Sequence, residues 1–473
     1  MKKLCLLSLS LLLLSGCYRT RSSSGGGQDV PAEAFRTIKP ADIALPEGYQ
    51  IEAIATGLTF PTAAAVDEQG NVYVIEAGYS YGEVFLEPKL IRINKDGSLT
   101  TVASGSKNGP WTGVQYHNGN FYVAEGGQLE GGKILKISKD GKITALVENL
   151  PSFGDHHTNG PAIGPDNYIY FGQGTATNSA VVGKDNADFG WLMRYPEFHD
   201  IPCQDITLKG KNYQSENPLT EAANDKATTG AYVPFGTATT EGQVIKGQVP
   251  CTGAIMRVPL QGGQPELVAW GFRNPYGLAF SPNGQLYITE NGYDDRGSRP
   301  VWGTGDYVWK VKPGTWYGWP DFAGGIPFHK DHFAPPGGPA PGQVLAKHPN
   351  TPPKPAAALG VHSSSNGIDF SRSNTFGYNG HAFIAQFGDM APGVGKVLAP
   401  VGYKVVRVDV ETGVVQDFAA NQGKENGPAS LKKSGGLERP VSVKFSPDGT
   451  ALYIVDFGVM TMSERGPAPE TQT

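Results

Sequence analysis

The sequence has little cysteine and no long basic or apolar run, and each shortage narrows the class of protein. Four cysteines occur in 473 residues, and 39 Lys and Arg stand against 44 Asp and Glu. No basic stretch is long enough to neutralise a phosphate backbone, so nucleic acid is not an expected partner. The sequence has no CxxCH motif, which argues against a fused c-type haem domain, and no HExxH zinc motif.

Helical patterning is scarce as well. The chain contains 64 Gly and 37 Pro, which is high for a helical protein, and few windows place apolar residues at helical spacing. The composition therefore predicts a chain that is mostly β.

The longest apolar stretch is short and lies at the N-terminus. It runs over Leu4–Leu14 behind a pair of lysines and is too short to cross a bilayer as a stable helix. This arrangement predicts a signal peptide over residues 1–16. The tetrad LSGC that ends at Cys17 resembles a bacterial lipobox and predicts Cys17 as the lipidated first residue of the mature chain. An ordinary signal peptide with an incidental cysteine is the alternative.

Residues 17–44 are predicted to hold the lipidated cysteine and a flexible tether that contains SSSGGGQ. Tyr18 follows the cysteine, where an Asp commonly retains lipoproteins at the inner membrane. In a two-membrane cell this favours the outer membrane. We therefore expect an exported lipoprotein at the outer membrane, in the periplasm or at the cell surface, attached to the membrane only through its lipid anchor.

Two cysteines remain once Cys5 and Cys17 are set aside, and both follow a proline. Because oxidation is permitted in an exported protein, Cys203 and Cys251 are predicted to form a disulfide. Closing this loop would stabilise the fold by about 4 kcal/mol in the chain-entropy model. Two unpaired buried thiols are the alternative.

One sequence unit recurs six times: a short apolar strand, a turn with Gly or Asn, and an aromatic-rich strand ending in acidic or polar residues and Gly. The copies are DEQGNVYVIEAG (67–78), HNGNFYVAEGG (117–127), GPDNYIYFGQG (164–174), SPNGQLYITENG (281–292), YNGHAFIAQFG (378–388) and SPDGTALYIVDFG (446–458). Second hairpins such as KILKISKDGKITAL lie between copies. Two hairpins make a four-stranded blade, and radial repetition of blades leaves only short, protected edges.

These units predict an all-β fold, a six-bladed β-propeller over residues 45–460 followed by a tail over 461–473. The last copy lacks its second hairpin, and a strand-like segment at 48–58 precedes the first copy. This N-terminal strand is therefore expected to close the sixth blade. Two long insertions, at about 175–250 and 313–365, have no apolar periodicity of their own and do not indicate separate domains. Long loops on a rigid scaffold commonly carry binding surfaces.

The stretch GDHHTNG places His156 and His157 side by side before a strand of the third unit. A one-residue slip reverses which side chain faces the channel, so either histidine could be the functional one. The alternative is one packed and one solvated histidine with no catalytic role. Three further histidines in or near the second insertion could bind an adventitious metal: His329, His332 and His362.

The fourth unit places Arg273 and Asn274 before one strand and the turn Gly292–Asp295 after the next. Positions that flank inner strands of a propeller can face its central channel, where these residues could converge with His156. Carbonyl and carboxylate oxygens at such a turn suit a hard cation such as Ca²⁺. A solvated turn, with Arg273 as an ion-pair partner, is the alternative.

Four motifs, in this order, resemble those of the soluble quinoprotein glucose/sorbosone dehydrogenases. They are DH before GPD, RNPxGLAF with LYxTExG, YGWP, and RPV before FSPDG. The resemblance extends from about Leu45 to Gly458. It implies a six-bladed propeller that oxidises sugars with pyrroloquinoline quinone (PQQ) and Ca²⁺.

The resemblance also implies roles for single residues. His156 matches the general base that takes a proton from the sugar hydroxyl as hydride passes to the quinone. Arg273 and Asn274 match a pair that contacts the quinone oxygens, and Arg439 matches an arginine that binds a PQQ carboxylate. Asp155 matches an acid that lines the pocket.

The implied calcium ligands are the carbonyls of Gly292 and Tyr293, and the adjacent Asp294 and Asp295 complete the predicted metal turn. His157 is the neighbouring pocket residue. In the fifth unit, where basic residues also meet the cofactor, Lys396 in GDMAPGVGK is the candidate.

Two positions depart from the family pattern. Thr175 stands where the family often has an acid that orients the histidine, and loss of that acid would weaken the base. Leu437 stands where the family usually has a basic residue. PQQ is a tricarboxylate, so a site with fewer cations should bind it less well.

The leading function is a PQQ- and Ca²⁺-dependent dehydrogenase that oxidises an aldose or a related polyol or aldehyde and passes electrons to an external acceptor. A non-catalytic surface propeller that binds a glycan or a protein is one alternative. A calcium-dependent lactonase, with Asp155, His156 and Asp294 as metal ligands, is another. Propellers host all three activities, and fold alone cannot choose among them.

Overall fold

The computed structural model describes residues 37–80, 84–188, 190–222, 224–329, 333–335, 337–389, 399–459, 462–463 and 466–467. The predicted signal peptide, the lipidation site Cys17, His332 and Lys396 lie outside these residues, so those predictions stay predictions. Within the described part, no helix is long and apolar enough to cross a membrane.

The described chain is dominated by strands, which are numbered here in chain order. The first seventeen are β1 (Ile43–Ala44), β2 (Pro61–Val66), β3 (Val72–Glu76), β4 (Tyr79–Ser80), β5 (Val84–Phe85), β6 (Lys89–Ile93), β7 (Leu99–Ser104), β8 (Trp111–His117), β9 (Asn120–Glu125), β10 (Gly132–Ser138), β11 (Ile143–Leu150), β12 (Thr158–Ile163), β13 (Tyr168–Gln173), β14 (Ile206–Lys209), β15 (Asn212–Glu216), β16 (Lys226–Gly230) and β17 (Glu241–Ile245).

The second half continues the pattern. Its strands are β18 (Ala254–Pro259), β19 (Glu266–Trp270), β20 (Asn274–Phe280), β21 (Leu286–Asn291), β22 (Gly305–Lys310), β23 (Phe322–Ala323), β24 (Ile326–Pro327), β25 (Ala357–Val361), β26 (Ser365–Phe370), β27 (Ala382–Gln386), β28 (Lys404–Asp409), β29 (Val414–Asn421), β30 (Pro440–Phe445), β31 (Leu452–Asp456), β32 (Met462–Ser463) and β33 (Gly466–Pro467). The short helices are α1 (Lys184–Asp188), α2 (Trp191–Arg194) and α3 (Ala429–Lys432), and a 3₁₀ turn spans Pro40–Asp42.

Six hairpins repeat one register and correspond to the six sequence copies: β2–β3, β8–β9, β12–β13, β20–β21, β26–β27 and β30–β31. Each has a register shift near the start of its first strand, and each second strand ends in or next to Glu, Gln or Asp. Three of these side chains accept the backbone N–H of a residue just before the inner strand: Glu76 from Thr59, Glu290 from Arg273 and Asp456 from Arg439. The recurrent acidic residue therefore fixes where the chain enters a blade.

Five of the hairpins extend into larger sheets in the described residues: β2-β3-β6-β7, β8 to β11, β12-β13-β18-β19, β20-β21-β22-β25, and β26 to β29 with β1 added. The inner strands contact one another in the order β2, β8, β12, β20, β26 and β30, and β30 contacts β2. The fold is thus an all-β propeller with five complete blades. The sixth unit, β30–β31, is described with two strands.

The prediction that the N-terminal strand closes the sixth blade is wrong. Residues 48–58 contain no strand, and β1 instead pairs with β29 at the outer edge of the fifth blade. Asp42, directly before β1, attaches the chain to the end of the fifth blade. Its carbonyl accepts the N–H of Gln422, and its carboxylate accepts the N–H of Gly435. Residues 50–55 then line one side of a cavity of about 760 Å³ whose other side is β31.

The two insertions pack against each other beside the third and fourth blades. Leu208 of the first insertion pairs with Leu345 of the second, and Lys209 N–H donates to the Val344 carbonyl. Leu208 and Leu345 belong to one apolar cluster, which also contains the disulfide cysteines. The predicted disulfide between Cys203 and Cys251 is confirmed and closes the first insertion against the strand that follows it.

Candidate functional site

His156 lies just before β12, and Thr175 fixes the orientation of its ring. Its Nδ1 is 2.9 Å from the Thr175 carbonyl oxygen and 3.1 Å from the Thr175 Oγ1. Because a carbonyl oxygen only accepts, this contact assigns the proton to Nδ1 and leaves the lone pair on Nε2. A backbone carbonyl therefore does the orienting that the family pattern gives to an acid, and Nε2 is in the form that a general base requires.

The surroundings of His156 also hold it neutral. The residue is 9% exposed. Burial lowers its pKa well below 6.5, and the guanidinium groups of Arg273 and Arg296 lower it further. A neutral imidazole that is already fixed in one tautomer is prepared to accept a proton.

His157 lies in a different environment. Its Nδ1 contacts the Nε2 atom of Gln128, and its carbonyl accepts the N–H of Gly174. Burial alone lowers the pKa of His157 to about 3. Of the two histidines, His156 is therefore the one beside the charged residues of the fourth unit.

Arg273 reaches the same region from the segment before β20. Its carbonyl accepts the N–H of Thr175 at 2.9 Å, which links it directly to the residue that orients His156. Its guanidinium donates to Asn178 Oδ1 at 3.1 Å and to Asp294 Oδ2 at 2.8 Å. Arg273 is thus an ion-pair partner of Asp294, but the turn that carries Asp294 is partly buried and not solvated as the alternative expected.

Asn274 approaches His156 across Gly174. A Cβ atom added at Gly174 would lie 2.3 Å from the His156 Cβ and 3.2 Å from the Asn274 Oδ1. Glycine is therefore required there for the two side chains to come together. The Asn274 amide also accepts from Asn159 at 3.0 Å and donates to Asn291 at 2.8 Å.

Arg296 is a site residue that sequence reasoning missed. It pairs with Asp155 at 2.7 Å, Asp185 at 2.7 Å and Asp294 at 3.0 Å, and so joins the third unit, the first insertion and the fourth unit. The sequence signal was the basic residue directly after Asp294 and Asp295 in YDDRG. Asp185 carried no such signal, because the insertion has no repeat against which to compare it.

These ion pairs change the electrostatics of the carboxylates. Burial opposes ionisation of Asp294, but Arg273 and Arg296 hold the pKa of that carboxyl below its usual range. Burial raises the pKa of Asp185 to about 6, although Arg296 acts in the opposite direction. Asp294 is therefore a fixed anion between two guanidinium groups.

The predicted metal turn is only partly available for a cation. Gly292 N–H donates to Asp306 at 2.9 Å, and the Tyr293 carbonyl accepts from Thr304 Oγ1 at 2.9 Å. Asp295 is half-buried, and neighbouring Asp294 is held by arginines.

Among the described residues, no group of three or more His, Cys, Asp or Glu is arranged to hold a metal ion. The ligand set that the lactonase alternative needs, Asp155, His156 and Asp294, is therefore not assembled. The reason is that Arg296 holds both carboxylates of that set.

Arg439, the described residue that the resemblance assigns to a PQQ carboxylate, lies directly before β30. The Arg439 side chain is fully buried, 5.0 Å from the Phe387 ring centroid and 5.3 Å from that of Tyr403. Leu437 is part of an apolar cluster of the fifth and sixth units.

His362 comes to the site from the end of the second insertion. Its Nδ1 is 3.8 Å from Asp294 Oδ1, and its side chain is 8% exposed. Its Nε2 is buried without a hydrogen-bond partner. His362 therefore contacts the candidate site, which sequence spacing could not show, and an adventitious metal at this histidine stays a prediction.

The sequence of the fourth and fifth units matches a known family. Residues 240–389 match the family model described as Glucose / Sorbosone dehydrogenase. The predicted resemblance is confirmed over this segment, which includes Arg273, Asn274 and Gly292–Asp295. His156 precedes it.

Two curated proteins are similar over parts of the chain. An uncharacterized protein of Borreliella burgdorferi is 29% identical over 220 residues, which cover 43% of this chain and 50% of the relative. Quinoprotein glucose dehydrogenase B of Acinetobacter calcoaceticus is 26% identical over 179 residues, which cover 38% of this chain and 29% of the relative. The matches therefore span half or less of these relatives.

Solved structures are similar over most of the chain. The PQQ-bound aldose sugar dehydrogenase of Streptomyces coelicolor gives a TM-score of 0.52 at 16% identity, covering 91% of this chain and 96% of that one. The holo pyranose dehydrogenase PQQ domain of Coprinopsis cinerea gives 0.54 at 15% identity, covering 88% and 94%. At these identities the likeness shows a shared fold.

Proposed function

We propose that this chain is an oxidoreductase that oxidises an aldose or a related polyol or aldehyde with bound PQQ and Ca²⁺, and passes the electrons to an external acceptor. The observation that carries the proposal is the neutral, oriented imidazole of His156 beside Arg273 and Asn274. The family match over residues 240–389 supports it. So does the likeness to a quinoprotein glucose dehydrogenase and to a PQQ-bound aldose sugar dehydrogenase.

The donor set around His156 fits the reacting end of PQQ. Arg273 and Asn274 offer guanidinium and amide N–H groups for the quinone oxygens, as the family pattern implies. Asn159 Oδ1 and His362 Nε2 are buried polar atoms without a hydrogen-bond partner. Such atoms are costly unless a bound molecule or water satisfies them. Gly292 and Tyr293 are the residues whose carbonyls would hold Ca²⁺.

The charge of the site explains why a cation would be needed together with PQQ. Three carboxylates, Asp155, Asp185 and Asp294, surround two guanidinium groups, Arg273 and Arg296. This cluster of five side chains therefore carries no excess positive charge for a tricarboxylate. Ca²⁺ would supply it.

Bound PQQ would accept hydride from the substrate carbon, and the protein would handle the matching proton. His156 Nε2 takes the proton of the substrate hydroxyl, so that the carbon that loses hydride becomes a carbonyl. The Nδ1–H bond to the Thr175 carbonyl keeps the ring in place during this transfer. Arg273 places a fixed positive charge beside His156, where it would stabilise negative charge that develops on the bound cofactor.

The test is sugar-dependent dye reduction by the purified mature chain with PQQ and Ca²⁺, across a panel of aldoses, polyols and aldehydes. We expect dye reduction with at least one substrate and a melting temperature that rises when PQQ and Ca²⁺ are added together. Binding of PQQ without turnover of any substrate would favour the non-catalytic alternative. The absence of both turnover and a melting shift would overturn the proposal.

We also propose that the chain is exported and anchored by lipid at Cys17. The motivation is the LSGC tetrad behind a short apolar run, followed by a Ser- and Gly-rich tether. Metabolic labelling with radioactive palmitate is expected to mark the full chain, and Cys17→Ala should remove the label. Equal labelling of both would contradict the anchor.

A further inference from the structure

Asp200 is a buried carboxylate of the first insertion that has no part in the mechanism above. Its Oδ1 accepts the N–H of Ala176 at 2.7 Å and the hydroxyl of Thr252 at 3.0 Å, and its Oδ2 accepts the hydroxyl of Thr177 at 2.6 Å. Burial raises the pKa of Asp200 to about 7, and these donors act in the opposite direction. Both carboxylate oxygens are therefore committed to neighbouring donors.

The segment that Asp200 holds is the one that orients His156. Thr175 directly precedes Ala176 and Thr177, and its Oγ1 donates to the Thr177 carbonyl at 2.7 Å. The Ala176 carbonyl in turn accepts the N–H of Asp155, the residue before His156, at 3.0 Å. The segment 175–177 thus has Asp200 on one side and the backbone and ring of His156 on the other.

Asp200 is itself held in a rigid frame. The N–H of Ile201 donates to Thr252 Oγ1 at 3.0 Å, and the N–H of Thr252 donates to the Ile201 carbonyl at 3.0 Å. Thr252 follows Cys251, whose disulfide to Cys203 closes the same frame. A carboxylate held in this way can hold in place the segment 175–177, to which it is hydrogen-bonded.

We propose that Asp200 is a positioning residue for His156. It holds the segment 175–177 so that the Thr175 carbonyl selects the Nδ1–H tautomer and keeps Nε2 as the acceptor. Position 175 carries no acid in this chain. Asp200 takes over the orienting role and acts on His156 through the backbone segment 175–177. The inference rests on the proposed role of His156, but its effect on the imidazole is independent of any cofactor.

The first test is ¹⁵N NMR of the histidine-labelled full chain, with the His156 signals assigned from a His156→Gln spectrum. We expect the wild-type ring to be in the Nδ1–H form, and Asp200→Asn to give a mixture of tautomers. Asp205→Asn is the matched control, because Asp205 lies in the same insertion but is exposed and pairs with Lys246. A wild-type tautomer in folded Asp200→Asn would overturn the proposal.

A milder variant covers the case in which Asp200→Asn does not fold. Thr177→Val removes only the hydroxyl that binds Oδ2, and it is expected to shift the tautomer in the same direction by a smaller amount. An unchanged His156 signal in Thr177→Val would then contradict the positioning role.

The second test is a double-mutant cycle with Thr175→Asp, which returns a carboxylate to the position beside the imidazole. In the loaded enzyme, Asp200→Asn should lower kcat by about 10–100-fold with little change in KM, as loss of an outer-shell partner does. The loss should be smaller in the Thr175→Asp background. Equal losses in both backgrounds would overturn the proposal. If no substrate is oxidised but the tautomer shifts, the proposed function fails and the positioning role stands.

Discussion

His156 and His157 are adjacent in sequence but differ in the charges around them. His156 lies beside Arg273 and Arg296, whereas His157 contacts the amide of Gln128. Burial lowers the pKa of both rings, so the difference between them is one of neighbours and not of protonation. Of these two histidines, His156 is the one with an oriented ring beside arginines that can stabilise developing negative charge.

The pH dependence of turnover should report this environment. Because burial and the two arginines lower the pKa of His156 well below 6.5, the base stays neutral as the pH falls from neutral to 6.5. Because burial raises the pKa of Asp200 to about 7, its protonation falls in the same interval, so the profile is taken in Asp200→Asn. In that variant we expect kcat/KM for the sugar to stay constant down to pH 6.5 and to fall only at lower pH, when the His156 ring takes up a proton. The measurement is a pH profile of kcat/KM. A fall centred at 6.5 or above would contradict the assignment.

The sequence predicted His156, Arg273 and Asn274 at one site because each flanks a strand of the repeat. It did not predict the contribution of Thr175, since the orienting atom is a backbone carbonyl and any residue has one. Asp200 was likewise hidden, because its role depends on how the first insertion folds back on the third unit. The side chains at the repeat positions therefore predicted the chemistry of the site. The contacts that hold His156 in place depend on a backbone carbonyl and on how the first insertion folds.

At the scale of elements, the two insertions act as one structure. Arg299 donates to the Ser179 carbonyl of the first insertion at 2.9 Å. In the second insertion it donates to the carbonyls of Pro320 and Gly342 and to Asp321 Oδ1 at 3.0 Å. Asp321 also accepts the N–H groups of the residues at 344 and 345. This buried pair fixes both insertions around the fourth unit.

Arg299→Ala should therefore destabilise the protein strongly. Removing one partner of a buried ion pair leaves an uncompensated charge and costs about 3–5 kcal/mol. Lys246→Ala is the control, because its ion pair with Asp205 is exposed, and it should change the free energy of unfolding by less than about 1 kcal/mol. Urea denaturation of the three proteins measures both values. Equal stability of Arg299→Ala and the wild type would rule out this role.

The six inner hairpins could be predicted from sequence because each carries its own turn and its own terminal acidic or amide residue. The closure of the sixth blade could not. The N-terminal strand pairs with the fifth blade instead, where Asp42 contacts Gln422 and Gly435, and such contacts between chain positions far apart have no local pattern. Local repetition predicts elements well, whereas long-range pairing at the ends of the ring needs the structure.

At the scale of the whole molecule, the site exists only because the ring and the insertions assemble together. The third unit supplies His156, the fourth supplies Arg273 and Asp294, and the first insertion supplies Asp185. The resulting cluster has three carboxylates for two guanidinium groups. A bound tricarboxylate would add to this negative charge.

PQQ binding should consequently depend on Ca²⁺. With PQQ at 100 times its dissociation constant, binding to the folded state should add about 2.7 kcal/mol of stability and raise the melting temperature. We expect that rise with PQQ and Ca²⁺ together and a much smaller one with PQQ and a calcium chelator. Thermal melting under both conditions is the measurement. An equal rise in melting temperature without Ca²⁺ would contradict the inference that PQQ binding needs the positive charge of Ca²⁺.

The central claim is that His156 is the base of a sugar-oxidising site. Its most direct test is the rate of sugar-dependent dye reduction by His156→Gln loaded with PQQ and Ca²⁺, beside His157→Gln loaded in the same way. We predict that His156→Gln loses about 10²–10⁴-fold in kcat, as expected for removal of a general base, while it keeps the melting shift given by PQQ. His157→Gln should stay within a few-fold of the wild type. Wild-type turnover by His156→Gln would contradict the account.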